Sequence, residues 1–300
     1  MAVTSFFSAF IVYKHISFIS FTGILQNLPK NFTTVLSVVK FCSILCEIIT
    51  ISGGIHMSIV SDIEKLKKEK NAVILAHYYV DEDVQDVADY IGDSFYLSKV
   101  ATKVSQDRII FAGVEFMGES AKILNPKKRV FMPDMNADCP MAHMADKDEI
   151  LALREKYDDL AVVCYINSTA ELKKYSDVCV TSSNAVKIVK NLPNKNIYFI
   201  PDRNLGSYVA KQCPDKNFIF NNGCCPRHVV ITKDMVLKAK ELHPEARFAA
   251  HPECTEDVLA FADYVGSTSG IIDYVVDTDC EEFIIATVDG VFGEIRKKAP

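Results

Sequence analysis

The sequence repeats at a period of about 87 residues, and this repeat constrains the fold more than any other feature. Three apolar runs end in a polar residue, at His77, Tyr165 and His251, which lie 88 and 86 residues apart. The same two spacings separate Asp89, Asp177 and Asp263, and again Phe111, Phe199 and Ile285. Three sets of positions in one register indicate three copies of one structural unit.

Each copy is predicted to be an α/β unit. The apolar runs are continuous and rich in β-branched residues, as buried parallel strands are, and the intervening lengths suit helical crossovers. The predicted fold class is α/β, with three α/β/α repeat domains related by approximate threefold symmetry around a central site. The expected boundaries are 57–142, 143–228 and 229–300, with the third domain incomplete.

Residues 1–56 differ in composition from the rest, since their only charged residues are three lysines and one glutamate. Lys40 and Glu47 interrupt the most apolar part, which makes it a poor membrane span, and the start lacks the basic region of a signal peptide. Three interpretations stay open. The segment is an extraneous leader ahead of a true start at Met57, a membrane anchor or targeting segment, or a folded extension.

The charge balance narrows the function classes. The chain carries 33 Lys+Arg and 39 Asp+Glu, a net charge of -6, which argues against a general nucleic-acid binder. A local basic pocket for a small anion remains compatible with this balance. The chain has ten cysteines, but its composition is typical of a cytosolic protein, so these cysteines are not expected to form disulfides.

Two cysteines share the phase of the repeat. Cys139 and Cys225 are 86 residues apart, and each is followed by proline. A third member would fall near position 311, past Pro300. Three converging thiolates without a fourth ligand suit a [4Fe-4S] cluster with one open iron, or a catalytic zinc. Four of the remaining cysteines are interpreted as small core residues: Cys164, Cys179, Cys213 and Cys280. Cys224 and Cys254 are thiols whose redox role stays open, and Cys42 and Cys46 belong to the leader.

Polar residues at strand ends mark the expected site. Ligands of parallel sheets collect at the carboxyl ends of the strands, where His77, Tyr165 and His251 lie, although each could be a simple strand-end cap. Hydroxyl-rich loops ahead of helices could bind a phosphate or carboxylate, or could only cap those helices; they contain Ser94, Ser182, Ser267 and Thr268. Glu253 is a candidate general base or metal-facing carboxylate, Asn167 a candidate hydrogen-bond donor, and His228 a neighbour of any cluster.

The residues between Met57 and about Ile285 resemble the quinolinate synthase A family. The resemblance rests on motifs that occur in order: LAHYY, DVADYIGDS, GVEFMGESAKILNP, ADCPMA, YINSTAELK, TSSNAVKIV, PDRNLGSYVA, GCCPRH, HPEC and ADYVGSTSGII. One departure is that Ala286, Thr287 and Val288 stand where the family usually reads Gly-Thr-Glu. The resemblance also implies that this chain is C-terminally truncated, because the family continues to a third cluster cysteine.

The resemblance implies an enzyme of NAD biosynthesis in the cytoplasm. It would condense iminoaspartate with dihydroxyacetone phosphate to quinolinate at a [4Fe-4S] cluster with an open iron, and it would be linked functionally to L-aspartate oxidase. No nucleic-acid or membrane partner is expected. The implied cluster ligands are Cys139 and Cys225, with His228 close by. The implied catalytic residues are His77, Tyr79, Tyr165 and Glu253. The implied substrate contacts are His77, Ser94, Tyr165, Asn167, Ser182, His251, Glu253, Ser267 and Thr268.

Two alternatives belong to other classes. One is an inactive homologue that binds small carboxylates or phosphates without a cluster. The other is an iron-sulfur redox sensor that uses the same site. Iron binding and quinolinate formation would distinguish the three.

Overall fold

A computed structural model describes residues 53–299. The predictions made for residues 1–52, including Cys42 and Cys46, lie outside this part of the chain. The first described helix, α1, runs Gly53–Glu69 and so begins before Met57. Among the described residues, no helix is both long enough and apolar enough to cross a membrane.

The first parallel sheet contains β1 to β4 in the order β2-β1-β3-β4. Its strands are β1 (Ala72–His77), β2 (Tyr90–Gly92), β3 (Arg108–Ala112) and β4 (Arg129–Phe131). The helices that accompany them are α2 (Glu82–Asp86), α3 (Ser94–Lys103) and α4 (Glu115–Leu124), followed by a 3-10 turn at Pro140–His143.

The second sheet has the same order, β6-β5-β7-β8, and is also parallel. Its strands are β5 (Leu160–Tyr165), β6 (Val178–Val180), β7 (Asn196–Ile200) and β8 (Asn217–Phe220). Its helices are α5 (Lys147–Lys156), α6 (Ala170–Lys174), α7 (Ala185–Asn191) and α8 (Arg203–Gln212).

The third sheet has the order β10-β9-β11 among the described residues. Its strands are β9 (Arg247–Ala250), β10 (Tyr264–Val265) and β11 (Phe283–Ala286). Its helices are α9 (Lys233–Leu242), α10 (Glu256–Leu259), α11 (Thr268–Asp277) and α12 (Val291–Lys298). Parallel strands alternate with helices in all three sheets, which confirms the predicted α/β class; the predicted domain boundaries stay a prediction.

The repeated aspartates make the same contact in each unit. One carboxylate oxygen of each aspartate accepts a hydrogen bond from a backbone N–H of the first strand, at 2.7 to 2.8 Å. The pairs are Asp89 with Ile74, Asp177 with Val162, and Asp263 with Phe248. The backbone N–H of each aspartate also donates to the carbonyl of the same strand residue. The carboxylate thus holds the second strand beside the first, which explains the register found in the sequence.

The central strand of each sheet is buried in the core of its unit. All residues of β1 and of β5 are buried, as are the last three residues of β9. The first and third units also approach each other closely at Gly290, where a Cβ would overlap the Tyr78 carbonyl oxygen. Gln85 donates to both the Tyr78 and the Gly290 carbonyl oxygens, and this side chain joins the two units.

Candidate active site and metal centre

The three strand-end residues and their neighbours meet at one buried centre. His77 ends β1, Tyr165 ends β5 and His251 follows β9; each is at most 8% exposed. The charge of Glu253 acts on the pKa of all three residues, so they share one electrostatic environment. The geometry therefore brings together the strand-end residues that the repeat singled out.

The Glu253 carboxylate contacts two histidines of this centre. Its Oε2 lies 2.8 Å from His228 Nδ1 and 3.5 Å from His251 Nδ1, and the two imidazole rings stack with centroids 4.8 Å apart. Burial alone would raise the pKa of the Glu253 carboxyl, but the neighbouring imidazoles of His251 and His228, the second of which also hydrogen-bonds to the carboxylate, outweigh burial and lower this pKa to about 2. The carboxylate is therefore ionised at neutral pH, and its buried Oε1 has no hydrogen-bond partner in the structure.

Cys225 lies beside Glu253 and is held from both sides. His228 Nδ1 is 3.2 Å from Cys225 Sγ, and the Cys225 backbone N–H donates to Asp202 Oδ2 at 2.9 Å. Burial raises the pKa of the Cys225 thiol well above its ordinary value. The ligand atoms of Cys225, His228 and Glu253 all lie within 4.8 Å of one another, a spacing at which they could hold a metal ion.

Cys139 approaches the same region from the first unit. It lies directly before the 3-10 turn and packs against the hydrophobic cluster that contains Cys225. Burial raises the pKa of its thiol to about 11, and the charge of Glu253 adds to the rise for both cysteines. Both thiols therefore lie within electrostatic reach of one carboxylate.

His77 and Tyr79 form a second group around this centre. Their rings are 4.3 Å apart, and the Tyr79 backbone N–H donates to His77 Nδ1 at 3.4 Å. Burial lowers the pKa of His77 to about 4, so its imidazole is neutral at pH 7. Burial raises the pKa of the Tyr79 phenol, and Cys139 contributes to this rise.

The hydroxyl loops differ in what they do. Ser182 Oγ is 3.2 Å from His251 Nε2, and Ser94 Oγ is 3.5 Å from His77 Nε2, so both face the strand-end histidines. Neither caps its helix, because Asp93 caps α3 and Asn184 precedes α7. Ser267 Oγ does cap α11 by accepting from the Gly270 N–H at 3.2 Å. Thr268 is buried, and Asn167 Oδ1 is buried without a hydrogen-bond partner.

Sequence reasoning missed two residues of this centre. Asp202 is fully buried, caps α8 through the Leu205 N–H and holds the Cys225 backbone. Thr287 is buried and its Oγ1 lies 3.2 Å from His228 Nε2. An acidic residue between an apolar strand and a helix could have indicated Asp202, but nothing in the sequence indicates the contact of Thr287.

Two of the four cysteines assigned to the core, Cys179 and Cys280, are not buried. Cys179 is exposed, because β6 is the edge strand of the second sheet and one of its faces meets solvent. Cys164 and Cys213 are buried as expected, Cys280 is partly exposed, and Cys254 is buried in the core of the third unit.

The fold and the site define an α/β enzyme with thiols, imidazoles and a carboxylate around one buried centre. A family profile described as "Quinolinate synthetase A protein" matches residues 61–300. The quinolinate synthase of Fusobacterium nucleatum subsp. nucleatum is 60% identical over 238 residues, 79% of this chain and 80% of the relative. The quinolinate synthase of Caldicellulosiruptor saccharolyticus is 52% identical over 239 residues, 80% of this chain and 79% of the relative. That of Clostridioides difficile is 50% identical over 238 residues, 79% of this chain and 78% of the relative. The chain belongs to the quinolinate synthase family.

Proposed function

We propose that this chain condenses iminoaspartate with dihydroxyacetone phosphate to form quinolinate in NAD biosynthesis. The proposal rests on one observation: an ionised Glu253, whose Oε1 has no hydrogen-bond partner, lies close to two thiols and to the neutral imidazoles of His77 and His251. We place the reaction in the cytoplasm, where an enzyme such as L-aspartate oxidase would supply the iminoaspartate. Both substrates carry anionic groups, which suit the hydroxyl and amide groups around the centre.

A [4Fe-4S] cluster is the cofactor that we propose, with Cys139 and Cys225 as two of its ligands. Both thiols lie within reach of Glu253, and thiolates are the ligands that such clusters use. An iron without a protein ligand supplies Lewis-acid chemistry when the cluster is bound. His228 would lie beside the cluster through its contact with Cys225.

Glu253 is proposed as the group that accepts and returns protons. Condensation requires a proton to leave carbon, and the later loss of water requires a proton to reach a departing oxygen. The Glu253 carboxylate is ionised at neutral pH and its Oε1 is free to accept a proton from a substrate. Tyr165 lies against this carboxylate, and burial raises the pKa of its phenol, so it stays protonated and can donate a hydrogen bond. Tyr79 is a second phenol of this kind on the side of the first unit.

The substrate anions are proposed to bind around these groups. His77 and His251 are neutral at pH 7 and each meets a hydroxyl group, Ser94 and Ser182. A neutral imidazole leaves one N–H to donate to a carboxylate or phosphate oxygen. The side-chain amide N–H of Asn167 offers a further donor. Ser267 and Thr268 lie at the start of α11, where backbone N–H groups favour an anion.

The test is quinolinate formation under anaerobic conditions from the two substrates, combined with an iron count. Quinolinate formed with iron bound supports the proposal. Iron bound without quinolinate would favour the redox-sensor alternative. Neither iron nor quinolinate, with retained binding of small carboxylates, would favour an inactive homologue.

A further inference from the structure

The second sheet carries a pair of cysteines outside the active site. Cys164 in β5 and Cys179 in β6 are register partners in adjacent parallel strands. Register partners point to the same face of a sheet, and neighbouring strands are about 4.8 Å apart. This separation falls within the range of about 4.4 to 6.8 Å that Cα atoms of disulfide-bonded cysteines adopt. The fold therefore places two thiols at a distance that a disulfide can bridge.

The two thiols differ in access. Cys179 is exposed on the edge strand, whereas Cys164 is fully buried. The neighbouring Cys164 thiol and the nearby positive charge of Lys173 lower the pKa of Cys179 to about 7, although partial burial opposes them. The neighbouring Cys179 thiol and burial raise the pKa of Cys164 well above its ordinary value, and Cys164 Sγ donates to the Tyr165 carbonyl oxygen at 3.4 Å. An exposed thiolate beside a buried thiol is the arrangement that favours exchange at the outer sulfur.

We propose that Cys164 and Cys179 form a thiol-disulfide site that closes to an intrachain disulfide on reaction with an oxidised low-molecular-weight disulfide. The Cys179 thiolate attacks one sulfur of that disulfide, so a mixed disulfide forms and one thiolate leaves. The Cys164 thiol then loses its proton to solvent and attacks Cys179 Sγ, and the second thiolate leaves. The two cysteines are oxidised, the small disulfide is reduced to two thiols, and both leaving thiolates take up the protons that the cysteines released.

The experiment uses the full chain and oxidised glutathione as the probe. After anaerobic treatment, remaining thiols are alkylated and the protein is digested with trypsin, which separates the two cysteines into peptides 157–173 and 175–187. The expected product is these two peptides joined, with the loss of two hydrogen atoms, and dithiothreitol restores the separate peptides.

Three variants make the result specific. Cys179→Ser changes an exposed side chain and should lose the joined peptides completely, while Cys280→Ser should retain them at the wild-type level. Cys164→Ala should stop the reaction at the mixed disulfide, so a stable glutathione adduct accumulates on Cys179. A wild-type chain that holds only this adduct, or that joins either peptide to a different cysteine, would overturn the proposal.

Discussion

The first two units and the third repeat the same backbone but bring different chemistry to the centre. The first two have a fourth strand followed by a cysteine, Cys139 or Cys225, whereas the described part of the third contributes His251 and Glu253. The residue two positions after His77, Tyr165 and His251 is Tyr79 in the first unit, Asn167 in the second and Glu253 in the third. A repeated backbone thus fixes where side chains point, while the residue type decides which chemical groups each unit brings to the centre.

The units also differ in how they hold their cysteines. Asp202 of the second unit occupies the repeat position of Val114 in the first and Val288 in the third, and it alone is a carboxylate. Asp202 binds the backbone of Cys225, whereas the Cys139 N–H donates to Asp138 on the exposed side of its loop. Cys225 therefore depends on a buried polar network, and Cys139 does not.

The first prediction asks whether Glu253 transfers protons or binds metal. Glu253→Gln keeps the shape of the side chain but removes its charge, and we expect quinolinate formation to fall by about 100-fold to 10,000-fold with iron content unchanged. The matched change in the first unit, Tyr79→Phe, should cost less. Steady-state assays and iron counts on both variants check this. Loss of iron from Glu253→Gln would identify the carboxylate as a metal ligand instead.

The next effect concerns the network around Cys225. Asp202→Ala leaves two buried N–H groups, those of Leu205 and Cys225, without a partner, and we expect a loss of about 4 kcal/mol in the free energy of unfolding. Thr232→Ala removes a helix cap on the surface and should cost only about 1 kcal/mol. Urea unfolding measures both. Equal losses would contradict the role assigned to Asp202; Asp202→Asn serves if the alanine variant does not fold.

The strand-end histidines of the first and third units make the fold sensitive to acid. The pKa of His77 is about 4 in the folded chain, against an ordinary value of about 6.5. Between these values the unfolded chain binds a proton that the folded chain does not, so stability falls as the pH falls, by about 3 kcal/mol for this residue. His77→Gln should remove that share of the loss between pH 7 and pH 4, as measured by urea unfolding. An unchanged pH dependence would contradict the burial of a neutral His77.

The smallest effect tests the contact between the first and third units. Gly290→Ala places a methyl group against the Tyr78 carbonyl, and such overpacking costs about 2 kcal/mol. Gly293→Ala, inside the following helix α12, meets only the flexible side chain of Glu82 and should be close to neutral. Thermal unfolding of the two variants compares them. A neutral Gly290→Ala would show that the two units separate more easily than their contacts indicate.

Much of the fold could be predicted because the same backbone arrangement occurs in three units and leaves the same sequence pattern in each. The spacing of Asp89, Asp177 and Asp263 reflects one hydrogen bond made in each unit, and the strand-end positions follow from it. Contacts between units could not be predicted in this way, since the pairing of Thr287 with His228 depends on how two units pack. The exposure of Cys179 was also missed, because an apolar run does not tell an edge strand from a central one.

Iron and sulfide counting after anaerobic reconstitution tests whether Cys139 and Cys225 hold a cluster beside Glu253. We expect about four irons and four sulfides per chain in the wild type, as in a [4Fe-4S] cluster, and the same in Cys280→Ser. Both Cys139→Ser and Cys225→Ser should lose most of this iron. A wild type that binds no iron, or a Cys139→Ser variant that keeps it, would show that Cys139 and Cys225 do not hold a cluster.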